Sequence, residues 1–282
     1  RCNQTLTIAA VIGREFTLEQ LKPLVEAMTE DRLLEALEEA LAARVIEELP
    51  RAVGRYQFTH ALIQETLVEE LTTTRRVRLH ARIAETLEAL YGEQAEAHAA
   101  ELAHHFAEAE SVLGPDKLAR YSLLAGERAL AAYAWEEALA HFQRGLVAKS
   151  VPLTGTEPAT DAEAAALLFG LGRGQVATLE REQSQEAVAT LERAFDYYAA
   201  AGDVAGAVAV AQYPMIFGLT RATGRTEVAR FIPRALKLVP PDSLAAGWLL
   251  CNYGVELGRV DGDYGNARAA FTRALAIARR EG

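Results

Sequence analysis

Apolar positions recur at helical spacing along most of this chain, and only one short stretch alternates as a strand does. The segment from Leu6 to Gly13 is apolar and alanine-rich and runs into Arg14, Glu15 and Phe16, which predicts a helix closed by a stop glycine. Thr17 to Gln20 has the spacing of a capping box, in which a hydroxyl takes an early backbone N–H and the glutamine reaches back. It opens a short helix with Leu18, Leu21, Leu24 and Val25 turned inward. A third helix begins at Thr29 and carries Leu33, Leu34, Leu37 and Leu41 at helical intervals. Val45, Ile46 and Leu49 then precede Pro50 and Gly54, and Tyr56 and Phe58 stand on alternate positions. Two short β segments joined by a turn at 51–54 are expected there.

Three helices followed by a small hairpin make a winged helix, expected over residues 1–70. From Leu62 to about Leu90 the pattern is helical, with a break at Thr72 to Thr74, and a further helix is expected from about Glu93 to Glu110. These linking helices occupy 71–112. Gly114, Pro115 and Asp116 mark a turn, proline being tolerated in a first helical turn. The fold class expected is therefore mainly α, a winged-helix domain followed by a tetratricopeptide-like α-solenoid over 113–282.

The solenoid rests on repetition. Ala138, Phe142 and Gly145 recur as Ala267, Phe271 and Ala274: a small residue, an aromatic four later, a small residue three later. This is the second-helix pattern of a tetratricopeptide repeat, where small residues let helices approach and the aromatic fills the joint. Weaker copies run from Glu182 through Ala187 to Leu191 and Ala194, and from Gly224 through Val228 to Ile232 and Ala235. Gly126 occupies the usual first-helix glycine position, and Gly254 lies one residue off it. The segment from Val151 to Pro158 reads as a loop separating the first repeat from the rest.

Composition narrows the function classes. Lys and Arg total 29 against 39 Asp and Glu, a net charge of −10, which argues against a surface that binds nucleic-acid backbones. The candidate recognition helix, Asp31 to Glu39, is itself acidic, whereas reading DNA takes cationic or amide side chains. Cys2 and Cys251 form no CxxC motif, which fits a reducing cytoplasm, and no apolar run is long enough to span a membrane. The chain begins with Arg1 and has no polar capping helix after its last repeat, so an excerpt of a longer protein is expected.

The order of Ala9 to Phe16, Phe58 to Glu65, Arg78 to His80 and Ala103 to Phe106 resembles one bacterial family. These are STAND-class signalling ATPases with tetratricopeptide repeats, attached to class III nucleotidyl cyclases, LuxR-type DNA-binding domains or kinases. The resemblance covers nearly the whole chain. It implies ATP or ADP bound by an upstream ATPase domain, no cofactor in this chain, and a protein or small-molecule effector on the repeats. In related proteins a Met-His-Asp-type motif ends the winged helix, and its histidine touches the β-phosphate of ADP. His60 matches that histidine, while Thr59 and Ala61 stand where the family has Met and Asp.

Other chemistry is sparse. No phosphate-cradling Gly-x-x-x-x-Gly-Lys-Ser/Thr occurs, and no catalytic arrangement stands out. Gly170, Gly172 and Gly174 read as helix-packing glycines. His98, Glu101 and His105 share a helical face and are of types that bind zinc, but packing is the preferred reading and no metal is expected. Arg75, Arg76, Arg78 and Arg82 form a basic patch backed by Val77, Ile83, Leu87 and Leu90; a solvated face is the default, and Arg75, Arg76 and Arg78 are candidates for phosphate or inter-domain contacts. Cys251 is expected to be buried. Tyr197, Tyr213, Trp248 and Tyr253 are candidates for a binding surface on the repeats. Three functions remain open on this evidence: nucleotide-gated regulator, plain repeat scaffold, and DNA-binding regulator.

Overall fold

A computed structural model describes residues 2–25, 28–50, 53–178, 184–216, 231–259 and 262–281. The protein is mainly helical with one small antiparallel sheet. It divides into two compact units, Arg1–Tyr121 and Ser122–Gly282.

In the first unit, helix α1 (Cys2–Ile12) is apolar on nearly every side, and Leu6, Ile8, Ala9, Ala10, Val11 and Ile12 are buried. After it the chain enters a strand, β1 (Glu15–Thr17), not loop as the stop glycine suggests. Helix α2 (Leu18–Leu21) and a 3-10 turn (Lys22–Leu24) lead to α3 (Glu30–Ala42) and the hairpin of β2 (Ile46–Glu48) and β3 (Arg55–Phe58). The sheet order is β1-β3-β2, with Phe16 opposite Tyr56 and Ile46 opposite Phe58. The third strand thus corrects the expectation of two. Phe16 explains it: its ring lies 5.7 Å from Tyr56 and 5.8 Å from Phe58 and is almost wholly buried. Such cross-strand aromatic pairs stabilise a sheet beyond their buried area.

The capping box forms as its spacing predicts. Gln20 N–H donates to Thr17 Oγ1 (3.1 Å) and Thr17 N–H donates to Gln20 Oε1 (2.8 Å). Thr17→Ala is expected to lower stability by about 1 kcal/mol, measured by urea unfolding, since the cap's backbone donor loses its acceptor.

Helix α4 (Ala61–Glu69) packs on α1, where Gln64 Nε2 donates to the Ala10 carbonyl at 2.8 Å. Helix α5 (Thr73–Tyr91), a 3-10 segment (Gly92–His98), α6 (Ala99–Glu108) and α7 (Glu110–Leu113) complete the unit with the first turns of α8 (Asp116–Ala131). The inner face of α5 carries His80, Ala81, Ile83, Ala84 and Leu87, and that of α6 carries Leu102, Ala103, His105 and Phe106. Leu90, expected on the buried side, is instead exposed, because it lies in the last turn of α5 next to an open cleft.

The regular elements among the described residues of the second unit are all helices: the rest of α8, then α9 (Trp135–Ala148), α10 (Ala162–Thr178), α11 (Ser184–Ala201), α12 (Val204–Ile216), α13 (Phe231–Leu236), α14 (Leu244–Arg259) and α15 (Tyr264–Glu281), with a loop between α9 and α10. Helix α10 packs on both α9 and α11, α11 on α12, and α14 on α15. The glycines explain how closely. A Cβ on Gly126 would lie 2.6 Å from the Phe142 ring, and one on Gly170 would lie closer still. Gly172 faces Leu191 (2.6 Å) and Gly174 faces Leu139 (2.8 Å) in the same sense. Gly254, although one residue out of step, would bring its Cβ to 2.9 Å from Phe271. Of the weak repeat expected from Gly224 through Val228 to Ile232 and Ala235, the first part lies outside the described residues, as do residues 51 and 52 of the hairpin turn, while Ile232 and Ala235 are buried on α13.

Candidate functional site

His60 is the N-cap residue of α4, directly after β3, in extended conformation (φ −135°, ψ 135°). Its side chain is exposed and makes no capping hydrogen bond, so the imidazole does not serve the helix. The backbone beneath it is well fixed. Thr59 N–H donates to the Val45 carbonyl (3.1 Å), and Thr59 Oγ1 donates to the Arg44 carbonyl (2.9 Å). Thr59 thus anchors the end of the strand to the residues before β2, directly ahead of the exposed His60.

The arginines lie elsewhere in the first unit. Arg75, Arg78 and Arg82 of α5 line a groove of about 700 Å3 together with Asn3, Gln4 and Thr7 of α1 and with Glu70. His60 is not among its lining residues. Arg82 also donates to the Leu24 carbonyl at 3.2 Å. Arg76 differs from its neighbours: it is half-buried, and its Nε is buried without a hydrogen-bond partner. The Thr7 hydroxyl donates to the Asn3 carbonyl at 2.8 Å, so Arg75 and Arg78 supply the groove's positive charge, with Glu70 opposing it.

Two groups whose assembly the sequence does not reveal are better built. On one side of the unit, Tyr91 Oη donates to Glu101 Oε2 (2.7 Å), and Gln20 Nε2 donates to Tyr91 Oη (2.7 Å) and Glu101 Oε1 (3.1 Å). The His98 ring stacks on Tyr91 at 3.8 Å. Burial, then the Glu101 carboxylate, pushes the Tyr91 phenol well above its ordinary range. Glu101 is thus held by Tyr91 and Gln20 with His98 Nδ1 3.7 Å from its Oε2, while His105 is turned to His80, so His98, Glu101 and His105 are not gathered into one cluster.

In the interior, His80 of α5 and His105 of α6 meet with Nδ1 to Nδ1 at 3.0 Å. One ring must donate and the other accept. Burial, then the neighbouring His104, lowers the His80 pKa to about 4, and burial with both neighbouring histidines lowers that of His105 to about 3. Both rings are therefore neutral at pH 7. An unfolded chain would titrate them near 6.5 and so bind more protons than the folded one between those values. Stability is expected to fall as pH drops below about 6.5 and to level off only below about 3. Urea midpoints at pH 7, 6 and 5 check this, with the decline reduced in His80→Gln. The hint in the sequence was the position of His80, three before Ile83 and seven before Leu87 on the buried stripe of α5.

The aromatic candidates of the second unit divide. Tyr213 is half-buried, donates from Oη to the Arg173 carbonyl at 3.3 Å, and meets Phe169 edge-on; burial pushes its phenol up to about 12. Tyr197 and Tyr253 are half-buried against the core. Trp248 is 66 % exposed. It sits one turn after exposed Leu244 and just before exposed Cys251, which corrects the expected burial of that cysteine. The reason is rotational: Ala246, Leu249, Leu250 and Leu257 take the inner face of α14, and positions 244, 248 and 251 fall on the opposite one. In a helix apolar on both faces, periodicity cannot say which is inside.

No protein-family model matches this chain, and no curated protein is significantly similar to it.

Proposed function

We propose that this chain is the sensor and regulatory region of a nucleotide-gated signalling ATPase, in which a winged-helix arm couples effector binding on tetratricopeptide-like repeats to the nucleotide state. The observation that carries this reading is the order of the first unit: helix, strand, short helix, helix and hairpin, with sheet order β1-β3-β2 and His60 directly after the last strand. This order supports the winged-helix reading, in which His60 would face a phosphate. The imidazole is exposed and owes nothing to the helix it precedes, so it is free to donate to a phosphate oxygen on a neighbouring ATPase domain. Helices packed in sequence on small-to-aromatic joints support a solenoid that offers a surface to an effector. The chemistry assigned to this region is binding and coupling; hydrolysis belongs to the nucleotide-binding domain.

ADP affinity of the intact protein, compared with its His60→Ala variant by calorimetry, tests the proposal. A weakening of about tenfold, the loss of one charge-assisted hydrogen bond, is expected. Equal affinities would remove His60 from nucleotide sensing.

One observation favours a scaffold as the second reading. Leu244, Trp248 and Cys251 form an exposed stripe on α14, the sort of surface that marks a protein contact. DNA reading by α3 has no such support, because Glu30, Asp31, Glu35, Glu38 and Glu39 are all exposed on it. No helix among the described residues is long and apolar enough to cross a membrane.

A further inference from the structure

His80, His104 and His105 each offer a ring nitrogen, and these atoms lie within 4.8 Å of one another. Two come from adjacent positions on α6 and the third from α5, so the set forms only when these helices pack. His80 and His105 are buried, whereas His104 is exposed.

We propose that these three histidines bind one divalent transition-metal ion of the zinc type, with His104 on the solvent side of the site. Imidazole nitrogens suit zinc and its neighbours, and three protein ligands leave one position open. At bond lengths of about 2.0–2.1 Å, tetrahedral ligand nitrogens stand about 3.3–3.4 Å apart. The 3.0 Å between the two Nδ1 atoms needs only a few tenths of an ångström of relaxation, whereas the His104 nitrogen, within 4.8 Å of the others, has to move in by up to about 1.4 Å from its exposed side. The surroundings fit as well. With Nδ1 of His105 turned to His80, its Nε2 is buried with no hydrogen-bond partner within range, close to the Ile12 end of α1. A ligating histidine commonly donates its second N–H to a backbone carbonyl, which fixes the ring. The groups acting on His80 are His104, Glu108 and Arg76, and of these the Glu108 carboxylate is the one that favours a cation.

In a purely structural cluster the His104 ring would only meet His80 and His105 edge-on, as it does at 5.6 and 5.2 Å; a metal site needs a nitrogen from all three. The test is zinc chloride titrated by calorimetry into the untagged chain in chelator-free buffer, with thermal unfolding as a second readout. One ion per chain is expected, with a rise in Tm. Exposed His104→Gln leaves the buried pair intact, so its metal-free Tm should match the parent's. It should lose about tenfold or more in zinc affinity and most of the Tm rise. His105→Gln should abolish binding, with circular dichroism checking that it folds. Absence of stoichiometric zinc binding, or an unchanged affinity in His104→Gln, would overturn the site. This result is independent of the ADP experiment on His60.

Discussion

Phe142→Ala is expected to destabilise the second unit by about 3–5 kcal/mol, the range for a buried aromatic truncated to alanine. Its ring is fully buried and lies against two glycines, Gly126 of α8 and Gly170 of α10. Neither helix can fill the vacated space by moving a side chain, because each presents bare backbone there. The cavity would persist, and its cost adds to the lost transfer energy. Urea unfolding followed by circular dichroism gives the value, with a lower midpoint at similar slope as the expected signature. The joint can be probed from its other side. Gly170→Ala puts a methyl group into the ring and should cost about 1–3 kcal/mol as overpacking. In Phe142→Leu the same methyl meets a smaller side chain, so Gly170→Ala should cost less in that background. A coupling of about 1 kcal/mol would establish the contact as the source of both effects. Additive values would mean that the backbone moves apart freely.

Arg193→Met should cost about 2–3 kcal/mol and release the segment between α9 and α10, because hydrogen bonds from a charged donor contribute about 1.5–3 kcal/mol each and part of that is offset by recovered desolvation. Arg193, on α11, is only 2 % exposed. Its Nε donates to the Glu157 carbonyl at 2.7 Å and its Nη1 to the Pro152 carbonyl at 2.8 Å. Burial lowers its pKa from the ordinary guanidinium value. Two carbonyls on one loop are thus clamped by a planar fork, a geometry that a lysine point charge does not reproduce. Limited proteolysis should show new cuts between 152 and 158 in both Arg193→Met and Arg193→Lys. If Arg193→Met were as stable as the parent, burial of the charge would be costing as much as its hydrogen bonds give.

What the sequence disclosed follows from the range of the forces involved. The capping box at Thr17 and Gln20 spans three residues and could be read directly. Helical stripes, and the glycines at 126, 170, 172 and 174 beneath large side chains, were also legible, because period and residue size suffice. Strand β1 was hidden: three residues carry no usable alternation, and its partner at Arg55–Gln57 lies about forty positions away. The exposure of Cys251 was missed because α14 is apolar on both faces. The meeting of His80 with His105 is a matter of helix docking, which no local pattern encodes. For the candidate site, His60 was found by motif and its lack of a capping bond only by geometry. Arg193 carried no local signal at all, since its partners are carbonyls that any residue could supply.

Gln20 has a consequence beyond its cap. Its carbonyl oxygen closes the turn at Thr17, while its amide nitrogen reaches Tyr91, 71 positions along the chain, and Glu101. One side chain therefore joins a four-residue helix to α5 and α6. Amide hydrogen exchange at the start of α2 should then track that of α5 and α6 instead of proceeding through independent fraying, so that this short helix behaves as part of a larger cooperative folding unit.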